Sequence, residues 1–513
     1  MNYKVKSCLC IPIDFSYLKK KCYPLFQFID PKFRLLEALQ VIRKLFLPIT
    51  FSLTLICLTN GCGNKVATRD VPVELPEAYS LPTGSSPLDS NWWASFQDTL
   101  LNRLVDSAIT HNLELKSTWF QVAQEAGNVA IIASQRVPQV FLELQGGASR
   151  PAPDFVGGEN TQLSLRTSYE VDLWGRVKQS KLAAENRMIA TFLDYQTMGI
   201  SVAGEVALTW FTLQASREQM NLIKEQTEYN QQILALIRTR FASGQVRGVD
   251  ILRQEQLIEN TKEEALALQM EIKILKNRLA VLLGKAPGML NISEKMKLPT
   301  LSPIPNAGLP MELINRRPDI QSSFNQLEAA DREVAVAISN TYPRLTFNLT
   351  GALRSNTLTN LVESQAASLT GSLLMPLFYG GRLKAETHRA KAFREQQLNA
   401  YGQTVLLAVQ EVEDALVRES LQKEIIIKLE NQLDLAERAF NQLRIEYLNG
   451  SIAYLDVLVT LDQMQQLKRE LVNEKLNLLL YRLSLYRALA GGFESPIENE
   501  EDFSIQENTI STK

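Results

Sequence analysis

The stretch PQVFLELQG at 138–146 decides the fold, because it returns 205 residues later as PRLTFNLTG at 343–351. A second pair of segments, GRVK at 175–178 and GRLK at 381–384, recurs at an offset of 206. A repeat of this kind sets the whole architecture, so it has to be recognised before any local feature is interpreted. The body of the chain is therefore a duplicated unit of roughly 200 residues.

Each repeat contains two segments in which apolar and polar residues alternate. These segments are 138–146, 162–171, 344–350 and 368–375. Period two with one apolar face predicts β-strands. Phe141 is the exception, since it falls on the polar side of its segment. Each run is long enough for the roughly 9–11 residues with which a tilted strand crosses a bilayer, although a soluble antiparallel sheet with one buried face has the same period.

The strand segments of each repeat are followed by a long region with helical periodicity. Neither 154–286 nor 377–495 contains a proline. Apolar residues step by three and four through both regions, as coiled coils do. They are Leu268, Ile272, Leu275, Leu279 and Leu282 in the first region, and Met464, Leu467, Leu471, Leu478, Tyr481, Leu485 and Ala488 in the second. Gly244 and Gly450 divide each region into a hairpin, with expected arms of about 50 residues. A self-contained antiparallel coiled coil fits the same spacing.

Composition excludes several classes of chemistry. The chain of 513 residues has a formal net charge of −2, which argues against a nucleic-acid binder. No cysteine follows residue 62, and the two histidines are His111 and His388. The main body therefore offers no disulfide framework, thiol nucleophile, cysteine zinc site or multi-histidine metal site. We expect no cofactor, no resident metal and no enzymatic activity.

The first 61 residues have the composition of a leader. They hold nine Lys or Arg and three Asp or Glu, and Arg43-Lys44 precedes the mainly apolar run 45–58. A positive start, a short apolar core and a small residue before the cut predict a secretory signal. Gly61-Cys62 resembles the bacterial lipoprotein box, which implies that Cys62 carries lipid, including palmitate. The alternative is an ordinary signal peptide with an incidental cysteine. A start codon assigned too early explains the unusual length of the leader.

Four strands cannot close a transmembrane barrel, and open strand edges are not tolerated in lipid. If the strands span a membrane, the chain must associate, with cyclic symmetry as the natural solution. Two chains would supply eight strands and three would supply twelve, and the strand count alone does not choose between them.

Several motifs together resemble the outer-membrane efflux protein family, that is TolC-like channels, and more closely the lipoprotein branch that serves resistance-nodulation-division pumps. The motifs are WWASFQD at 92–98, YEVDLWGR at 169–176, RRPDI at 316–320, MPLFYGGR at 375–382 and YLDVL at 454–458. The resemblance implies a mixed α and β fold: a transmembrane β-barrel with four strands per chain, closed by trimerisation and continued by a periplasmic α-helical barrel of coiled-coil hairpins. The implied partners are a periplasmic adaptor, an inner-membrane pump and outer-membrane lipid, with no nucleic acid.

The same resemblance places the functional residues after Gly450, at the turn between the last two helices. In the family this turn narrows the pore at its periplasmic entrance. Leu455 matches a constricting apolar position and Asp456 matches the acidic position beside it. A second acid is common three residues further on, where this chain has Val459, so we expect a less acidic entrance. The alternative is that Asp456 only caps or solvates the turn.

The resulting division of the chain has six parts. They are a leader (1–61), a lipidated linker (62–90), a first repeat (91–290), an inter-repeat linker (291–310), a second repeat (311–492) and an acidic tail (493–513). We expect a passive duct in the outer membrane that exports drugs, metals or other small molecules. A duct for type I protein secretion and, with less support, a lipid-anchored coiled-coil scaffold are the alternatives.

Overall fold

The computed structural model describes residues 72–82, 84, 91–148, 159–291, 297–355 and 364–489. The expected leader, Cys62 and the acidic tail lie outside these residues. Within the described ranges the chain is mainly helical and contains a four-stranded sheet. The order of the elements follows the duplication.

The sheet is made of two hairpins, one from each repeat. Its strands are β1 (Gln139–Ala148), β2 (Glu159–Val171), β3 (Arg344–Ser355) and β4 (Ser364–Leu374). Neighbouring strands are antiparallel in the order β1-β2-β3-β4, so the two hairpins join through β2 and β3. The predicted strands are confirmed, and the register pairs the exceptional Phe141 with Arg166 on the polar face.

The opposite face of the sheet is apolar and has no cover within the described chain. Leu142 pairs with Leu165, and Leu349 pairs with Leu369. All four side chains are at least half exposed. An uncovered apolar surface that crosses four strands requires an apolar environment outside the chain.

Long helices begin where the strands of each repeat end. The first repeat contains α1 (Thr99–His111), α2 (Leu113–Ser134), α3 (Arg176–Ala242) and α4 (Gly248–Leu282), and the second contains α5 (Leu313–Arg316), α6 (Pro318–Ser339), α7 (Arg382–Leu448) and α8 (Tyr454–Ala488). Short 3₁₀ turns lie at Trp92–Phe96 and Pro310–Glu312.

The expectation of equal helical arms of about 50 residues is wrong. Both α3 and α7 have 67 residues, whereas α4 and α8 have 35. The reason is that α3 and α7 start directly at the sheet and continue past the ends of α4 and α8. Near the sheet, α2 and α6 replace the shorter helices as packing partners. At about 1.5 Å per residue the long arms reach roughly 100 Å.

Glycine makes the sharp corner between strand and helix in both repeats. Gly175 precedes α3 with φ +71°, and Gly381 precedes α7 with φ +83°. Residues with a side chain rarely adopt this left-handed conformation, so both corners require glycine at this position. The Nε1 of Trp174 donates to the carbonyl of Pro343 at 2.7 Å, which ties the first corner to the start of β3.

The WWASFQD motif fastens the amino-terminal segment to the long helices. Trp92 is buried and stacks on Tyr486 of α8, with ring centroids 5.9 Å apart. Asp98 accepts hydrogen bonds from the backbone N–H of Leu100 at 2.9 Å and from Nε1 of Trp210 at 2.7 Å. The carboxylate therefore caps α1 and binds α3 at once.

A buried ion pair holds the inter-repeat linker against α7 and α8. The guanidinium of Arg482 bonds both oxygens of Glu419, at 2.6 and 2.7 Å, and both side chains are almost fully buried. Arg482 also donates to the carbonyls of Ser302 at 2.7 Å and Pro303 at 3.1 Å. The linker backbone thus completes the hydrogen bonding of a buried cation.

Replacing Glu419 with Gln tests this contact. Burial alone would raise the pKa of Glu419, but hydrogen bonds and charge from Arg482 and Lys423 outweigh burial and lower that pKa overall. We expect the variant to unfold at a lower temperature at neutral pH, because it leaves a buried guanidinium unpaired, at a cost of about 3–5 kcal/mol. Thermal unfolding followed by circular dichroism measures the effect.

The pH dependence supplies a second readout. A carboxylate with a lowered folded pKa contributes stability above its unfolded pKa of about 4.3, and this contribution is lost as pH falls through the folded value. The Glu419→Gln protein should therefore lose less stability than the wild type on acidification. Glu437→Gln, which breaks an exposed pair with Lys468, is the control. An equal loss of stability in both variants would contradict the assignment.

Candidate pore entrance at the helical tips

Two equivalent turns close the helical hairpins at the end far from the sheet. Gly244 between α3 and α4 has φ +77°, and Gly450 between α7 and α8 has φ +78°. After Gly450, the backbone N–H of Ser451 donates to the carbonyl of Glu446 at 3.0 Å, which closes the last turn of α7. The first turn closes in the same way. The equal conformation of the two glycines confirms that these turns are repeats of one another.

The residues singled out in the sequence lie together on the first turns of α8. Leu455 is 40% exposed, Asp456 is exposed and Val459 is 58% exposed. Tyr454 and Val457 point inward and are buried. Because residues four apart share a helix face, Val459 continues the surface of Leu455 by one turn. An acidic side chain and two apolar ones thus form one exposed patch.

Asp250 is the counterpart of Asp456 in the first repeat, and its carboxylate has partners within the protein. Asp250 is 3% exposed, and its Oδ2 accepts a hydrogen bond from the backbone N–H of Arg247 at 3.3 Å. The guanidinium groups of Arg247 and Arg253 lie 3.8 and 3.7 Å from its Oδ1. Asp250 therefore caps α4 and is neutralised, whereas Asp456 presents its charge at the surface.

Arg240 joins the two hairpins at the tips. This α3 side chain donates to the carbonyls of Tyr447 at 3.1 Å and Leu448 at 3.0 Å, the last residues of α7. Its guanidinium also lies 4.9 Å from the centre of the Tyr447 ring. A cation on the final carbonyls of a helix compensates the negative end of that helix. The carboxyl end of α7 is thus fixed by a residue of the other repeat.

A buried polar seam continues this connection between the hairpins. Gln465 donates from Nε2 to Oδ1 of the buried Asn230 at 3.1 Å, and Gln254 donates to the carbonyl of Asn230 at 2.8 Å. The hydroxyl of Tyr454 donates to Gln254, and Gln226 donates to the carbonyl of Gln465 at 3.2 Å. Burial raises the pKa of Tyr454, so its hydroxyl stays a neutral donor. Satisfied polar groups inside an interface fix the register of the helices that carry them.

Sequence reasoning singled out the residues of this turn but missed the contacts that hold the turn in place. Arg240 carries no signal in the sequence, because surface arginines are common on long helices. Asn230 and Gln465 carry none either, because amides on a long helix resemble surface residues and the predicted apolar stripes include neither of them.

Within the described ranges, no group of three or more His, Cys, Asp or Glu side chains could hold a metal ion. The helices described there also include none that is both long and apolar enough to cross a bilayer.

Helical hairpins on a duplicated pair of strand segments define a class of envelope channel. Comparison of the chain with known protein families identifies the family. The sequence model described as outer membrane efflux protein matches residues 104–285 and 309–491, one match for each repeat. The chain belongs to this family and is an outer-membrane protein of the efflux class. The members of this family are channel proteins rather than enzymes.

Relatives of known name and structure cover nearly the same length. The pyoverdine export outer membrane protein OpmQ of Pseudomonas aeruginosa is 28% identical over 462 residues, or 86% of this chain and 97% of that protein. The cation efflux system protein CusC of Escherichia coli is 24% identical over 451 residues, or 85% and 96%. The Campylobacter jejuni CmeC outer membrane channel gives a TM-score of 0.77 at 22% identity and covers 85% of this chain and 97% of that one. The chain therefore has the fold of these channels.

Replacing Arg240 with Gln tests the bridge between the hairpins. The change removes charge-assisted hydrogen bonds to the end of α7, so we expect hydrogen exchange in 444–450 to accelerate by about tenfold or more. Exchange measured by mass spectrometry resolves this segment. Arg238→Gln breaks an exposed pair with Glu255 on the same helix and is the matched control. Equal acceleration in both variants would exclude a specific role for Arg240.

Proposed function

We propose that three copies of this chain form a passive duct through the outer membrane and periplasm. An inner-membrane pump supplies the energy, and a periplasmic adaptor connects the pump to the duct. The observation that carries the proposal is the four-stranded sheet, which, among the residues that the structure describes, ends in two unpaired edges and has an uncovered apolar face. The duct itself performs no chemistry in this proposal.

The sheet supports closure between copies. Its outer strands, β1 and β4, run in opposite directions, so β4 of one copy and β1 of the next can pair as antiparallel neighbours. Three copies give a twelve-stranded barrel with lipid against the apolar face and the polar face inside. Closure gives hydrogen-bond partners to the backbone N–H and C=O groups of both outer strands, as any structure in lipid requires.

The equivalent helices α2 and α6 support a neighbouring copy on one particular face. Each has 22 residues, but α6 packs against both α3 and α7, whereas α2 packs mainly against α3. Pro318 at the start of α6 is buried, and its equivalent in α2, Leu113, is 72% exposed. The missing neighbour of α2 is therefore α7 of the next copy, which occupies the place that α3 takes beside α6.

The tips form the periplasmic entrance in this proposal. Three copies bring Leu455, Asp456 and Val459 around one axis as an apolar constriction beside a single acidic ring. A ring of carboxylates favours cations in a pore. With Val459 in place of a second acid, the entrance is more apolar than one with two acidic rings.

The proposal also includes a lipid anchor near the amino terminus and a class of exported substrate. Cys62 carries a lipid anchor, which the lipoprotein-type sequence around it supports. Relatives named for pyoverdine export and cation efflux favour small molecules or metal ions over secreted proteins as cargo.

Assembly is tested with Leu113→Glu. Glutamate suits the first turn of a helix, so the change leaves α2 intact and places a charge in the proposed interface between copies. We expect the heat-resistant trimer extracted from outer membranes to dissociate. Gln121→Glu adds the same charge at a site whose α6 equivalent, Gln326, is exposed, and should leave the trimer intact. A trimer that resists both changes would exclude this interface.

The entrance is tested with Asp456→Asn in planar bilayers. Loss of the acidic ring should lower single-channel conductance and cation preference, and Val459→Asp should raise cation preference, because the two changes remove and add one charge per copy. Reversal potentials in a salt gradient measure the preference. Unchanged conductance and selectivity in Asp456→Asn would show that Asp456 only solvates the turn.

A further inference from the structure

The two corners between strand and helix occupy equivalent positions in the repeats but differ in charge. The first corner, EVDLWGRVK at 170–178, contains two acids and two bases. The second corner, MPLFYGGRLK at 375–384, contains two bases and no acid. The repeats are therefore asymmetric at the point where the sheet ends and the long helices begin.

At the first corner, both acidic side chains have partners within the same segment. Glu170 binds the guanidinium of Arg176 through two contacts of 3.0 Å. The carboxylate of Asp172 accepts hydrogen bonds from the backbone N–H groups of Val177 at 3.0 Å and Lys178 at 2.8 Å. Both acids are thus occupied by the start of α3.

Apolar residues replace these acids at the second corner. At the offset of 206 that relates β2 to β4 and Gly175 to Gly381, Pro376 stands at the position of Glu170 and Phe378 at that of Asp172. Leu377 is 85% exposed and the adjacent Phe378 is 89% exposed, among the highest values for large apolar side chains in the described chain. Such exposure of adjacent apolar residues marks a surface that contacts lipid or another protein.

The basic side chains of the second corner have no acid from the end of the preceding strand as a partner, as Arg176 has at the first corner. Arg382 lies over the ring of Tyr379 at 5.0 Å, and its ion-pair partner, Glu386, is 3.8 Å away. Lys384 is exposed. Cations in the first turn of a helix oppose its dipole, so Arg382 and Lys384 do not serve the stability of α7.

The first corner shows which of these side chains a neighbouring copy covers. Trp174 contacts Tyr342 at 5.0 Å between ring centres, beside the start of β3. Its equivalent is Gly380, so the second corner presents no side chain to the next copy at this position. Leu173 remains 55% exposed although its neighbouring strand belongs to the same chain. Its equivalent, Tyr379, accordingly points away from the next copy and toward the surroundings of the assembly.

We propose that the second corner binds anionic phospholipid headgroups of the periplasmic leaflet, an inference that rests on the proposed outer-membrane duct. Leu377 and Tyr379 enter the boundary of the acyl region, and Arg382 and Lys384 bind phosphate at the headgroup level. Charge complementarity favours this occupant, because each basic side chain near an anionic membrane surface strengthens binding about fivefold. Aromatic residues commonly occupy the same interfacial level in membrane barrels.

Lipid retention by the purified assembly tests the proposal. The full chain is placed in nanodiscs of phosphatidylcholine with a minor fraction of phosphatidylglycerol, and native mass spectrometry counts the lipids that each assembly retains. The wild type should retain phosphatidylglycerol above its bulk fraction. Lys384→Gln should lower this enrichment about fivefold, and the double variant Arg382→Gln/Lys384→Gln should abolish it.

Lys178→Gln is the matched control, because Lys178 is the equivalent of Lys384 at the first corner. Its enrichment should stay within about twofold of the wild type. Equal losses in Lys178→Gln and Lys384→Gln, or no loss in either, would overturn the proposal. The lipid count is independent of conductance, so a wild-type assembly that retains the lipid without conducting would refute the duct and not the lipid site.

Tyr379→Ser separates lipid from a second copy as the occupant. The proposal expects a heat-resistant assembly that retains less phosphatidylglycerol. Dissociation of the assembly, with normal enrichment in the trimers that remain, would assign Tyr379 to the contact between copies and overturn the proposal.

Discussion

The unpaired edges of the sheet are the constraint on which the rest of the structure depends. Within the described residues, β1 and β4 each leave a row of backbone donors and acceptors without partners, and in lipid each such group costs several kcal/mol. The duplication supplies an even number of antiparallel strands, so the two edges are complementary. Copies can therefore add around an axis with no strand left over, and the helices that start at the strand ends must follow the same circle.

The repeats provide an internal reference for contacts that a single chain cannot show. In the proposed assembly, where one repeat is covered by the other, the equivalent surface of the second repeat is covered by the next copy. Leu113 and Pro318 illustrate this rule, since one is exposed and the other buried at the same position of two equal helices. Positions where the repeats differ in chemistry are more informative still. Asp250 is ion-paired and Asp456 is exposed, which separates a structural acid from the one proposed to line the entrance.

Periodicity and glycine made most of the fold predictable. Alternation identified all four strands, and Gly244 and Gly450 identified the hairpin turns, because each signal is local. The lengths of the arms were not predictable from those glycines, because they mark only one end of each helix and the other end is set by the sheet. The seam of Asn230 and Gln465 was also missed, since amides on a long helix look like surface residues until the partner helix is placed. The site residues Leu455 and Asp456 came from family resemblance, and their chemistry alone would not have selected them.

The contacts between the two hairpins differ along their length. Near the linker, one buried cluster joins both repeats, because Trp92 and Phe211 pack in it with Tyr486. Toward the tips, the hairpins are joined by amide hydrogen bonds, by the cation of Arg240 on the end of α7 and by a second buried cluster that includes Ile237. Water can replace an amide hydrogen bond at a net cost of only about 1 kcal/mol, so the cluster and Arg240 carry most of the cost of separating the tips. The exposed patch of Leu455, Asp456 and Val459 lies on the surface of this joined end.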